Sequence, residues 1–351
     1  MTISALVFLA GLSVFLGISL FWGIRVLPGE RWQMLASVPI VKEKDGTWSG
    51  LNLTYYGALT ANSYVLAAAV FLVLLASVGV PVWLSVSGVV LVLVVCMPLS
   101  RVIAGVVEGK RHTFTVGGAS FAGLMLGPPV FWGLNAVADA LGAGAVEVAP
   151  AVTAMAVAYA FGEGLGRLAC LSFGCCYGRR LEEAPRFLQR MLMGWGTVFT
   201  GKTKKAAYES GLDGVRLVPV QAMTAVLYAG TGLVSTGLFL LGWYRWAFLL
   251  AVLVTQGWRA WSETLRADFR GGGRISAYQC MAVAAMAYAV LLAWFLPDGS
   301  GRSDVLMGMK AVSNLPTVLF LQGLWIVSFL YTGRSSVTGS KVTFYVFSER
   351  I

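Results

Sequence analysis

Nine stretches of this 351-residue chain stay apolar for about 20 residues each. A helix of that length crosses the hydrocarbon core of a bilayer. The runs lie near 3–23, 57–79, 80–100, 116–138, 150–172, 219–242, 243–262, 275–296 and 311–332. Only 12% of the residues are charged, against about a quarter in an ordinary soluble domain. Lipid is the natural solvent for such a chain. A transmembrane β-barrel would show short alternating segments. These runs are continuous, so helices must satisfy the backbone in lipid. The expected fold is all-α: a polytopic transmembrane helix bundle of about seven core helices plus one or two extra spans, with a polar extramembrane insertion. The first run has no basic residues before it and no small-x-small cleavage site after it, so it reads as a retained helix and not a signal peptide.

The formal net charge is +10. Basic residues flanking membrane helices and meeting anionic headgroups account for it. No solvated basic domain is present, which argues against nucleic acid as a partner. The five cysteines, Cys96, Cys170, Cys175, Cys176 and Cys280, are odd in number and lie mostly in or beside apolar runs. That is not a secreted disulfide framework. Positions 170, 175 and 176 lack the Cys-x2-Cys spacing of a zinc site, so no metal and no cofactor is expected.

Two polar segments interrupt the apolar runs. The first, 25–54, contains the turn-like Lys42-Glu43-Lys44-Asp45-Gly46. The second, 179–217, carries eight basic and four acidic residues. Within it Phe187, Leu188, Met191 and Leu192 are spaced for a short amphipathic helix in the membrane interface, or for part of a soluble cap. By the positive-inside rule this loop would be cytoplasmic. The tail from 332 onward fits either an interfacial strand or a loosely ordered end.

Charged residues within apolar runs are expensive and point to function. Glu163 and Arg167 lie one helical turn apart and can pair, as a functional group or as a self-neutralising structural pair. Arg259, Glu263 and Arg266 would stack on one helix face. Guanidinium forks bind phosphate bidentately, and Glu263 would hold the two forks; the alternative is a helix end with interfacial arginines. Arg101 and Glu108 precede Gly117-Gly118-Ala119-Ser120-Phe121-Ala122-Gly123, which reads either as a tight re-entrant turn exposing backbone N–H groups to an anion or as an ordinary loop. Tyr55-Tyr56-Gly57 heads the second run, where interfacial tyrosines are usual.

The order of these features resembles the bacterial prolipoprotein diacylglyceryl transferase family. The matching positions are Tyr56-Gly57, Arg101, the 117–123 glycine motif, Gly166-Arg167 with Gly178 eleven residues after the arginine, Pro219-Val220-Gln221, Arg259/Glu263/Arg266, and Ile275-Ser276 with Gln279. The resemblance covers about 55–297. It divides the chain into an N-terminal extra span and polar loop (1–55), a membrane core (56–297, with 179–217 as its insertion), and an extra hydrophobic segment and tail (298–351). It implies a bacterial cytoplasmic (inner) membrane protein that moves the diacylglyceryl group of phosphatidylglycerol to a prolipoprotein cysteine or another acceptor. It further implies Arg167, Arg259 and Glu263 as catalytic, and Tyr56, Arg101, Gly117, Gly118, Ser120, Arg266 and Gln221 as phospholipid contacts. Glu163, Cys170, Cys175 and Cys176 are additional candidates. The chain departs from the pattern where the family carries histidines: Ala122 and Val218 stand there. Cys170, Phe173 and Cys175 replace the asparagines and glutamate of its Gly-Arg signature, and the sole histidine, His112, is outside the motif. The family places the 179–217 loop in the periplasm, against its charge. A non-catalytic phospholipid-binding relative and a thiol- or metal-dependent membrane protein are the other readings.

Overall fold

The computed structural model describes residues 1–108, 116–142, 146–268, 275–297 and 303–351. His112 lies outside the described residues. In chain order the elements are α1 (Ile3–Val26), a hairpin of β1 (Met34–Lys42) and β2 (Trp48–Thr54), α2 (Tyr55–Ser77), α3 (Val82–Glu108), α4 (Val116–Ala140) and α5 (Val148–Phe173). A small cap follows: α6 (Arg186–Met191), β3 (Thr197–Val198), α7 (Lys205–Ser210) and β4 (Arg216–Leu217). The chain continues through α8 (Val220–Leu240), α9 (Tyr244–Ser262), α10 (Ala277–Phe295), α11 (Val305–Val312), α12 (Leu315–Thr332) and β5 (Arg334–Val342). This is an all-α polytopic bundle.

All nine apolar runs are helical, and eight of the helices among the described residues are long and apolar enough to cross a membrane. The ninth, α9, falls short because one of its faces is polar. Thr255, Gln256 and Arg259 are buried on that face with Ala251 and Val252. Large apolar side chains on α1, α3 and α12 (Ile18, Val94, Val106, Val327) face outward uncovered, as lipid-facing residues do. The chain is a multi-pass membrane protein.

Helix α5 is the axis. It packs against α2, α8, α9 and α4 and is buried along most of its length. It stops at Gly174, whose φ of 76° is the left-handed closure glycine supplies without a Cβ penalty. The cap encloses its own small core of Leu181, Leu188, Leu192, Val218 and Leu265. Its α6 is shorter than the amphipathic helix expected over 185–195. Leu188 and Leu192 turn inward, whereas Phe187, Met191 and Trp195 stay exposed.

The two chain ends meet. β2 pairs antiparallel with both β1 and β5, so the N-terminal polar segment and the C-terminal tail form one three-stranded sheet. The end of α12 crosses the start of α2 at Gly57 and Gly333, so closely that a Cβ on Gly57 would strike the Gly333 backbone. The residues expected to lie beyond the core on either side therefore brace its first core helix.

Candidate functional site

A cavity of about 900 Å³ opens between α2, α3, α4, α5 and α9, and α12 and β5 complete its wall. One end is apolar, lined by Phe71, Val89, Val92 and Leu93. The other is polar and is built largely by one face of α5, where Tyr159, Glu163, Arg167 and Cys170 succeed one another at helical spacing.

Glu163 is the hub. Its Oε1 accepts from Arg167 and, at 3.2 Å, from Arg259 Nη2 across the cavity. Arg259 Nη2 also donates to the Tyr159 hydroxyl at 2.9 Å. Two guanidiniums thus share one carboxylate, which leaves net positive charge in a buried place. The Nε–H groups of both Arg167 and Arg259 are buried and have no hydrogen-bond partner. An unsatisfied buried donor costs about 1–3 kcal/mol, more when charged.

Of the residues expected from sequence, Tyr56, Arg101, Gly117, Ser120, Glu163, Arg167, Cys170, Cys175, Cys176 and Arg259 line this cavity. Arg101 sits at the exposed rim, 5.2 Å from the Tyr331 ring. Four placements differ from those expected from sequence. Glu263 does not stand between Arg259 and Arg266 on one helix face, because α9 ends at Ser262 and 263–265 form a 3-10 turn. Arg266 is held by Glu263 at 3.3 Å and by both oxygens of Asp268 at 2.8 and 2.6 Å, and it is not on the cavity wall. Burial alone would lower its pKa; Cys176, Asp268 and Glu263 outweigh that and raise it. Gln221 lies beneath the wall, where its Nε2 donates to the Cys175 carbonyl at 2.8 Å. The 117–123 motif is no re-entrant turn but the first turns of α4. Gly117 serves close packing: a Cβ there would lie 2.6 Å from the Tyr278 ring and 3.0 Å from Arg259 Nη1. Gly118 is buried beside it and off the wall.

Sequence reading missed Tyr159, which precedes Glu163 by one turn. Its spacing from Glu163 and Arg167 was the available signal. It also missed Lys205 and Asp268, brought to the wall by the cap and by the segment after α9, and the tail residues 331–332 and 334–337.

The sulfurs of Cys170, Cys175 and Cys176 lie within 4.8 Å of one another at the edge of the same cavity, although their spacing gave no sign of it. All three are free thiols. Cys176 is held well below the ordinary cysteine range, first by hydrogen bonding with Cys170 and Cys175 and then by the Arg266 and Arg167 charges. No protein-family model, curated protein or solved structure matches this chain.

Proposed function

We propose that this protein is a membrane transferase that binds an anionic phospholipid, phosphatidylglycerol, and moves its diacylglyceryl group to an acceptor, a prolipoprotein cysteine thiol in the first instance. The observation that carries the reading is that Arg167 and Arg259 share the single carboxylate of Glu163 on the wall of a cavity with one apolar end. A phosphodiester accepts from both forks. Its two acyl chains take the apolar end among Phe71, Val89 and Val92.

In the reaction the acceptor sulfur, as thiolate, attacks the terminal glycerol carbon of the diacylglyceryl group. The bond from that carbon to the phosphate oxygen breaks, and glycerol phosphate leaves carrying the negative charge. Arg167 and Arg259 stabilise that charge as it develops, the kind of term that usually dominates catalysis. Glu163 fixes the two guanidiniums in place. Already shared by both, it is a poor acceptor for the thiol proton. In a bacterial cytoplasmic membrane both lipid and acceptor are at hand.

The test is direct. Purified protein is mixed with phosphatidylglycerol micelles, with and without a peptide carrying an acceptor cysteine, and free glycerol phosphate is measured. Release that requires the peptide is expected. Tight phosphatidylglycerol binding with no release under any acceptor would make the protein a phospholipid-binding relative without activity.

A further inference from the structure

The turn after α5 folds back on its own helix. Gly174 ends α5 in the left-handed region, and Cys176, with φ of 56°, is the only non-glycine residue of positive φ among the described residues. That conformation costs an L-residue about 1–2 kcal/mol, and the surroundings hold it. Gln221 grips the Cys175 carbonyl at 2.8 Å. Gly178 is pressed so tightly on Val218 that a Cβ there would strike the Val218 carbonyl oxygen. The outcome is three thiols brought face to face at the cavity edge, with Cys170 Sγ 3.9 Å from Cys176 Sγ.

Three sulfurs bound to one zinc ion, each at about 2.3 Å, stand about 3.8 Å apart in a tetrahedral site. The Cys170–Cys176 separation of 3.9 Å matches that edge, and all three sulfurs lie within 4.8 Å of one another. The donor set is all sulfur, which selects soft ions such as zinc. Asp268, another carboxylate on the cavity wall, already receives two Arg266 donors. Three thiolates and one zinc ion carry one net negative charge, and Arg167 on the same cavity wall offsets it.

We propose that Cys170, Cys175 and Cys176 bind one zinc ion whose fourth coordination position opens into the phospholipid cavity and takes an exchangeable thiol ligand. The site itself needs only these cysteines; its role rests on the transferase reading above. A thiol that coordinates zinc gives up its proton outright. The proton passes to water, and the zinc-bound acceptor thiolate sits beside the lipid held by Arg167 and Arg259. This supplies the deprotonation for which no histidine lines the cavity among the described residues.

The reduced protein, purified in detergent and loaded with zinc sulfate, is dialysed and its metal content measured. Cobalt chloride is then exchanged for zinc as a spectroscopic probe. One zinc per chain is expected, with thiolate-to-cobalt charge-transfer absorption that shifts when an acceptor peptide is added. Cys170→Ser, Cys175→Ser and Cys176→Ser should each weaken zinc affinity about ten-fold or more. Cys280→Ser, on exposed α10 surface away from the cavity, should not change it. Helical circular dichroism and size-exclusion profiles establish that the variants fold. A reduced protein that takes up no zinc, or a triple-serine variant that takes up as much as the parent, overturns the proposal. Glycerol phosphate release at full rate by zinc-free protein overturns the role and leaves the transferase reading standing. Stoichiometric zinc on the three cysteines with no release from phosphatidylglycerol leaves the site standing and removes the transferase reading.

Discussion

Two arginine–carboxylate groups in this molecule look alike in sequence and differ in the structure. At the centre of the bundle, Arg167 and Arg259 share the single carboxylate of Glu163, and each keeps a buried Nε–H without a partner. Just beyond the end of α9, one guanidinium, Arg266, lies against two carboxylates, Glu263 and Asp268. In the first group two guanidiniums share one carboxylate on the wall of a cavity; in the second one guanidinium is matched by two carboxylates, and that guanidinium is off the wall. Proximity of opposite charges is therefore a poor guide to function in this chain. What separates the proposed anion clamp from the structural tie is the balance of guanidiniums against carboxylates. The tie has a visible structural role. The segment it fixes bonds back to the turn after α5, through Arg179 N to the Leu265 carbonyl at 2.9 Å and Ala267 N to the Tyr177 carbonyl at 3.1 Å.

The comparison breaks most readily at the second group. Arg266 and its partners are all more than nine-tenths buried in their side chains. Arg266→Leu removes the guanidinium from between two buried carboxylates and should cost about 3–5 kcal/mol of stability, read as a lowered thermal unfolding midpoint in detergent. A variant that melts like the parent yet binds phosphatidylglycerol poorly would return Arg266 to the phosphate ligands and erase the distinction.

The clamp should respond in the opposite sense. Arg259→Lys and Arg167→Lys keep the charge and lose the planar fork. Each is expected to lower glycerol phosphate release about 10²–10³-fold, equivalent to about 2.7–4 kcal/mol of transition-state stabilisation, with unfolding little changed. Wild-type rates in both variants would leave Glu163 and its two arginines as a second structural tie.

Much of this architecture was legible in the chain. Continuous apolar runs specify helices in lipid because nothing else satisfies the backbone there, and every run became one. At the site, residues on a single regular helix were the readable ones. Glu163, Arg167 and Cys170 fall on one face of α5, and Tyr159 would have joined them had the same spacing been carried one turn back. The Arg259–Glu263–Arg266 face was misread because it assumed a helix that ends at Ser262. The clustering of Cys175 and Cys176 with Cys170 depends on a left-handed closure at Gly174 and a strained Cys176, which no linear spacing reports. The pairing of β2 with β5, which brings 334–337 to the cavity wall, joins segments some 290 residues apart and leaves no local signature.

A third buried cation sharpens the contrast, since it relies on carbonyls. Lys204 in the cap is fully buried, and its Nζ donates to the Leu27 carbonyl at 3.1 Å and to the Ser172 carbonyl. It ties α1 and α5 to the extramembrane cap. Burial lowers its pKa to about 8, with Glu30 opposing. The unfolded value is about 10.4, so the fold disfavours the charged form. The penalty is full below about pH 8 and is relieved as pH rises from there towards the unfolded value. Between about pH 7 and about pH 9 the protein should gain about 1 kcal/mol of stability from this residue. Lys204→Met fills the same volume without the charge, so its stability should lose that slope across the same interval. Unfolding midpoints of the two proteins at both pH values measure the difference. Parallel pH dependences would mean that the two carbonyls hold the ammonium as well as Glu263 and Asp268 hold Arg266, and that buried cations here need no carboxylate to be stable.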